Sequence, residues 1–267
     1  MARLAIAKGF LAEYAKLEKD VQRAVETVIT RFAEHAHALP RLEKVPGSRD
    51  SRIRTIQVDS FLRGVVLAPE SGDTYYLITV LPRDKADAYA SSHRFSVNRV
   101  LGVLEVRDEK AIQHAQPALE GLARSARQRL FADVSDADLA RLGIDAQIMP
   151  VVRLLNSKAD LETLQAMLPD AQYAAVHALA SQMTVAEAWT EVAQLLPGEA
   201  PEHVDPDDLV SAMKRTPGHV TFVSGQEELQ RILAHPFATW RTFLLPSQLK
   251  IAYRPSYSGP SQVTLKP

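Results

Sequence analysis

The hydrophobic pattern of this chain changes period once, and that change restricts the folds open to it. Phe10, Tyr14, Leu17, Val21, Val25, Val28 and Phe32 recur at steps of three and four, the spacing of one helix face. The polar step Leu17-Glu18-Lys19-Asp20 divides this face into two helices, and His35, His37 and Pro40 end the second. Beyond Pro46-Gly47-Ser48-Arg49-Asp50 the runs 52–58, 61–67 and 74–81 are short and rich in Ile, Val, Thr and aromatic residues. Asp59-Ser60 and the stretch 69–73 separate them with turn-forming residues, which predicts an antiparallel meander. Residues 1–95 therefore read as two helices on one face of a small sheet, with an apolar first strand pairing into the meander.

The remainder reads as mainly helical, which makes the fold class α+β. A helix is expected over 117–130, and Ser135-Asp136-Ala137-Asp138 has the form of a capped start. Thr184-Val185-Ala186-Glu187 and Ser224-Gly225-Gln226-Glu227 have the pattern of capping boxes. Asp205-Pro206-Asp207-Asp208 would place proline at a first helical position, with acids near the positive end of the helix dipole. About four short helices fit between 147 and 196, and a strand over 220–223 leads into a helix over 226–234. The units read from this pattern are a sheet domain at 1–95 and a helical domain at 96–200. A linker with a strand–helix segment follows at 201–267.

Several function classes are excluded by composition. No stretch approaches the roughly 18–20 apolar residues of a membrane span, so no membrane partner is expected. With no cysteine, there is neither a disulfide nor a thiolate metal site, and a cytoplasmic location is expected. Residues 1–95 carry 15 Lys/Arg against 12 Asp/Glu, a weak basic excess beside that of a dedicated nucleic-acid binder. The eight histidines are scattered, and His35-x-His37 lacks the i,i+4 spacing of a helical metal pair. No G-x-S-x-G, G-x-G-x-x-G or G-x-x-x-x-G-K-[ST] occurs, so hydrolase, dehydrogenase and P-loop chemistry have no motif here.

One cluster could carry chemistry: Arg52, Arg54, Arg63, Arg83 and Tyr89. The order strand, two helices, Arg52-Ile53-Arg54-x4-Asp59-x3-Arg63-Gly64-Val65-Val66, then Arg83-x5-Tyr89 resembles the RelE/ParE toxin superfamily over about a third of the chain. In ribonuclease members of that superfamily, strand arginines hold the scissile phosphate and a late tyrosine assists proton transfer. The resemblance implies those roles for Arg54, Arg63, Arg83 and Tyr89, and nucleic-acid contact for Arg52, Arg54 and Arg63. Guanidinium forks suit this work because they grip phosphate oxygens and stabilise developing charge. The plainer reading has Arg52, Arg54 and Arg63 as strand-face residues paired with Asp50, Asp59 or Glu70.

A second resemblance lies at the C-terminal end. Trp240 to Ala252, with Pro246-Ser247-Gln248, followed by Tyr257-Ser258-Gly259-Pro260-Ser261-Gln262-Val263-Thr264, is similar to the approach to a UvrD/Rep-type superfamily 1 helicase motor. In that family a glutamine reads adenine, and Gln248 occupies the matching position; Ser261 to Thr264 would be the strand before the phosphate loop. Leu265-Lys266-Pro267 follows instead of that loop, so the chain is expected to be a truncated pre-motor region without ATPase activity. ATP and Mg²⁺ would enter only with a motor. The expectation is a non-catalytic accessory region of a UvrD/Rep-like DNA helicase that binds DNA or RNA weakly, or a protein partner such as the motor. The alternative is a RelE-type endoribonuclease.

Overall fold

The computed structural model describes residues 3–34, 42–70 and 72–234. It begins with β1 (Arg3–Ala7), α1 (Lys8–Tyr14) and α2 (Lys19–Glu34). The break between the two helices falls at the polar step. On α2, Val25 and Ile29 are buried and Val21 and Val28 half-buried, which is the expected face. Then come β2 (Glu43–Lys44), β3 (Ile53–Gln57), β4 (Leu62–Leu67), β5 (Thr74–Pro82) and α3 (Arg83–Ser92). A hairpin of β6 (His93–Val97) and β7 (Leu104–Asp108) leads to α4 (Glu109–Ser125). Five shorter helices follow: α5 (Asp136–Arg141), α6 (Met149–Leu154), α7 (Lys158–Thr163), α8 (Asp170–Ala180) and α9 (Val185–Ala193). Finally, α10 (Leu209–Lys214), β8 (Val220–Val223) and α11 (Gln226–Ala234) complete the described chain.

The fold is α+β, but its sheet is not the small antiparallel one expected. Six strands run in the order β2-β3-β4-β5-β1-β8, and the sheet is mixed. β1 is parallel to β5, pairing Ala5 with Tyr76, and antiparallel to β8, pairing Ala5 with Phe222. A parallel pair needs a long crossover, which α1, α2 and the meander supply. Nor does the sheet have a single covered face. Val65, Val66 and Leu67 are successive residues of one strand, each at most 2% exposed, and successive side chains point to opposite faces. Both faces are therefore covered.

Two cores result. One joins β1, α1, α2 and the meander to α3, β6 and the returning elements α10, β8 and α11 through Leu209, Met213, Val220 and Leu229. The other lies among α4 to α9 and the turn of the β6–β7 hairpin. Capping fixes several helix starts where the sequence implies them: Ser135 caps α5, and Thr184 with Glu187 forms a capping box on α9. Two starts differ. α4 begins at Glu109, capped by Asp108, and passes through Pro117 rather than starting there. α10 is capped by Asp208, so Pro206 precedes the helix instead of occupying its first turn. At α11 it is Glu228, not Glu227, whose carboxylate accepts from the Ser224 amide, at 2.6 Å.

Candidate functional site

The pairing register separates the arginines that the toxin resemblance groups together. β3 and β4 pair Arg54 with Val66 and Gln57 with Arg63. Cross-strand partners share a face and the side-chain period is two, so Arg54 and Arg63 lie on opposite faces of the sheet. Roles around one phosphate, which the toxin resemblance implies for these two arginines, would need them on one face; in this register their odd separation of nine residues sets them on two. Each guanidinium is held locally. Arg54 donates to the carbonyls of Ser51 and Ile53, and Arg63 to those of Asp59, at 2.9 Å, and Leu62, at 3.0 Å. Lys44 is the cross-strand neighbour of Arg54 on the edge strand.

Arg52 has a structural post. Its Nε and Nη2 form a fork on the Asp50 carboxylate at 2.9 and 2.8 Å, and Nη2 also donates to the Phe95 carbonyl at 2.6 Å. The Phe95 amide in turn donates to Asp50 at 3.0 Å, which ties β6 to the loop before β3. These donors hold the Asp50 carboxyl below its ordinary range although burial opposes them. Arg83 is exposed at the start of α3. Tyr89, on the same helix, stacks on His93 with ring centroids 3.8 Å apart. Burial first, and then the neighbouring Tyr76, Glu13 and Asp108, push the Tyr89 hydroxyl pKa up, so the phenol stays protonated. Gln248 and the segment 240–264 lie outside the described residues, as do His35 and His37.

The structure instead assembles a polar group that the sequence does not announce. Along β7 the buried residues are Glu105 and Arg107, at 4% and 5% exposure, while Val106 between them is 40% exposed. The strand is polar inward and apolar outward, the inverse of what alternation suggests. Glu105 accepts from Asn98 Nδ2 and Gln172 Nε2, both at 2.7 Å. Arg107 bridges Asp145 at 2.8 Å, Glu109 at 3.2 Å and the Gln147 side chain. Asn98 also donates to the Gly143 carbonyl, and Gly143 has φ +90° with the Asn98 amide pressed against the space a Cβ would need. Burial drives the Glu105 carboxyl pKa up to about 8; the two amide donors and Arg107 oppose the rise, and Asp145 adds to it.

This group lines a cleft of about 940 Å³ between the sheet and the helical region, which also receives Arg52, Arg94 and Asp207. Three of its five arginines are matched: Arg52 pairs with Asp50, Arg107 with Asp145, and Arg94 with Glu109 at 2.8 Å, whereas Arg49 donates to Gln113 and Arg99 is an exposed residue of the lining. The three paired guanidiniums have little charge left for phosphate. Among the described residues no cluster of three or more His, Asp or Glu side chains is placed to hold a metal. No helix among them is long and apolar enough to cross a membrane. No protein family, curated protein or solved structure matches this chain.

Proposed function

We propose that this chain is a non-catalytic accessory region of a UvrD/Rep-like DNA helicase, an interaction module with a RelE/ParE-like sheet unit whose toxin-type chemistry is lost. The observation that carries the non-catalytic reading is the separation of Arg54 and Arg63 onto opposite faces, with Tyr89 stacked away on His93. Phosphoryl chemistry of the ribonuclease type needs those groups around one phosphate. The toxin-like unit is supported by its strand order: a first strand, two helices, a three-stranded meander, and β1 pairing into that meander beside β5. The helicase reading itself rests on the sequence resemblance at 240–264.

Nucleic-acid contact in this reading is weak and comes from side chains at the surface. Arg83 is exposed, while Arg54 and Arg63 are half-exposed on separate faces, so one strand of nucleic acid meets few of them at once. The test is a fluorescence-anisotropy titration of labelled single- and double-stranded DNA and RNA across a salt series. Weak binding is expected, with a slope against log salt of about −2, as for two neutralised phosphates. Arg54→Ala with Arg63→Ala should flatten that slope. Binding unaffected by the pair moves the contact elsewhere, and undetectable binding by the parent leaves a protein partner such as the motor. RNA cleavage abolished by Tyr89→Phe would replace the proposal with the endoribonuclease alternative.

A further inference from the structure

The outer edge of β7 borders a second, smaller cavity of about 220 Å³, separate in character from the charged cleft. Hydrogen-bond alternation in the hairpin fixes which backbone groups face it. Asn98 N donates to the Val103 carbonyl within the hairpin, whereas Leu104 N donates outward to Thr216 Oγ1 at 2.9 Å and Asp108 N outward to the Met167 carbonyl at 3.3 Å. On the other strand Phe95, the partner of Val106, likewise turns its amide outward, to Asp50. In an antiparallel pair these positions alternate, so the Val106 N–H and C=O point out of the hairpin with those of Leu104 and Asp108. No described residue bonds either Val106 group, and this residue is among the cavity's lining.

The neighbours of that edge decide what could meet it. Thr216 closes it at Leu104 and Met167 closes it at Asp108, four residues apart, or about 13 Å of strand. An added peptide strand needs a longer open ladder than the single N–H/C=O pair that remains. Val103, Leu168, Ala171 and Leu195 add apolar surface to the lining. Several polar side chains of the lining are already engaged: Asp108 caps α4, His219 pairs with Asp170 at 3.0 Å, and Arg215 donates to the Glu199 carbonyl. What the strand edge itself offers is one donor and one acceptor side by side, with Gln165 and His93 also in the lining. Val106 is 40% exposed, so these groups are within reach of water, and a ligand that pairs with both exchanges that water for two direct hydrogen bonds.

We propose that this cavity binds a planar heterocycle of the nucleobase class, its adjacent donor and acceptor paired with the Val106 C=O and N–H and its sugar at the mouth. The site stands apart from the helicase reading and does not depend on it.

The experiment uses the full chain, ¹⁵N-labelled, titrated with adenosine, guanosine, cytidine and uridine in turn. At least one nucleoside should bind, with the Val106 amide among the resonances that move most. Val106→Pro removes the donor alone, because an outward N–H takes no part in the ladder and proline is tolerated at such edge positions. It should weaken binding about tenfold. Ala166→Trp, on an exposed residue at the rim, should obstruct the mouth without entering either core and weaken binding at least as much. If Val106→Pro does not fold, Ala166→Trp decides by the same criterion. The proposal is overturned if no nucleoside shifts Val106, or if a folded variant binds within about twofold of the parent.

Discussion

Asp50 shows how a residue that looks like part of a surface can be a joint. Its carboxylate is 4% exposed and receives the Arg52 fork together with the amides of Arg52 and Phe95. Removing one partner of a buried pair leaves the other charge unpaired, so Arg52→Ala should cost about 3 kcal/mol in urea unfolding, with little change in nucleic-acid affinity. The opposite pattern, intact stability and lost binding, would return Arg52 to the phosphate-contacting set. Glu105 gives a pH dependence of definite sign. Its folded pKa, about 8, lies above the ordinary 4.5, so between those values the folded chain holds a proton that the unfolded chain has released. This group's contribution is full below about 4.5 and is lost as pH rises through about 8. Unfolding free energies measured over that range should therefore fall with pH, and Glu105→Gln, which cannot ionise, should flatten the fall. Asp50 runs the other way: its lowered pKa stabilises above the ordinary 3.8, and the contribution is lost as pH falls through the folded value. Of these residues the sequence offered only Arg52 with its partner Asp50, since two residues of spacing make that fork local. Glu105 meets Gln172 across 67 positions, a pairing that no local pattern encodes.

At the scale of elements, period and punctuation carried well where one face of an element meets a core. The α1–α2 break, the three meander strands and the Thr184–Glu187 capping box are all local matters of spacing and turn chemistry. In the β6–β7 hairpin, β7 escaped because its alternation is inverted, although β6 buries Phe95 and Val97 in the ordinary way. Glu105 and Arg107 are the buried set, satisfied by partners that lie far along the chain. The start of α4 was misplaced for a different reason: proline favours a first turn, but the Asp108 cap on the Ala111 amide sets the start two turns earlier. The sheet contributes its own prediction at Gly64, paired with Ile56 on the centre of β3–β4. A Cβ there would lie 2.8 Å from Ile56 Cγ2, a methyl fixed close to its own backbone. Gly64→Ala should destabilise by about 1–3 kcal/mol. The double variant with Ile56→Ala should cost less than the sum of the two single changes, as a double-mutant cycle would reveal. Strict additivity would mean that the sheet absorbs the methyl elsewhere.

For the molecule as a whole, α10, β8 and α11 return to the first core after the helical excursion, so sequence neighbours are not the partners that matter there. A pattern reading finds the strand at 220–223 but not its place beside β1, because register and partner choice are settled by packing. β1 is held on both sides, and Ala5 and Ile6 are fully buried within it. Their amides should be among the slowest to exchange with deuterium. Val220→Asp should speed β1 exchange while leaving α8, in the other core, protected; equal loss of protection in both would make the two cores one cooperative unit. The place of β8 also has a consequence in time. Ala7 leaves the ribosome more than two hundred residues before its partner Val220. At roughly 5–20 residues per second, one side of β1 therefore waits roughly 10–40 seconds without its final neighbour. Any chain that meets that unpaired edge in the interval competes with β8 for it, so slowing synthesis should lower the yield of soluble protein.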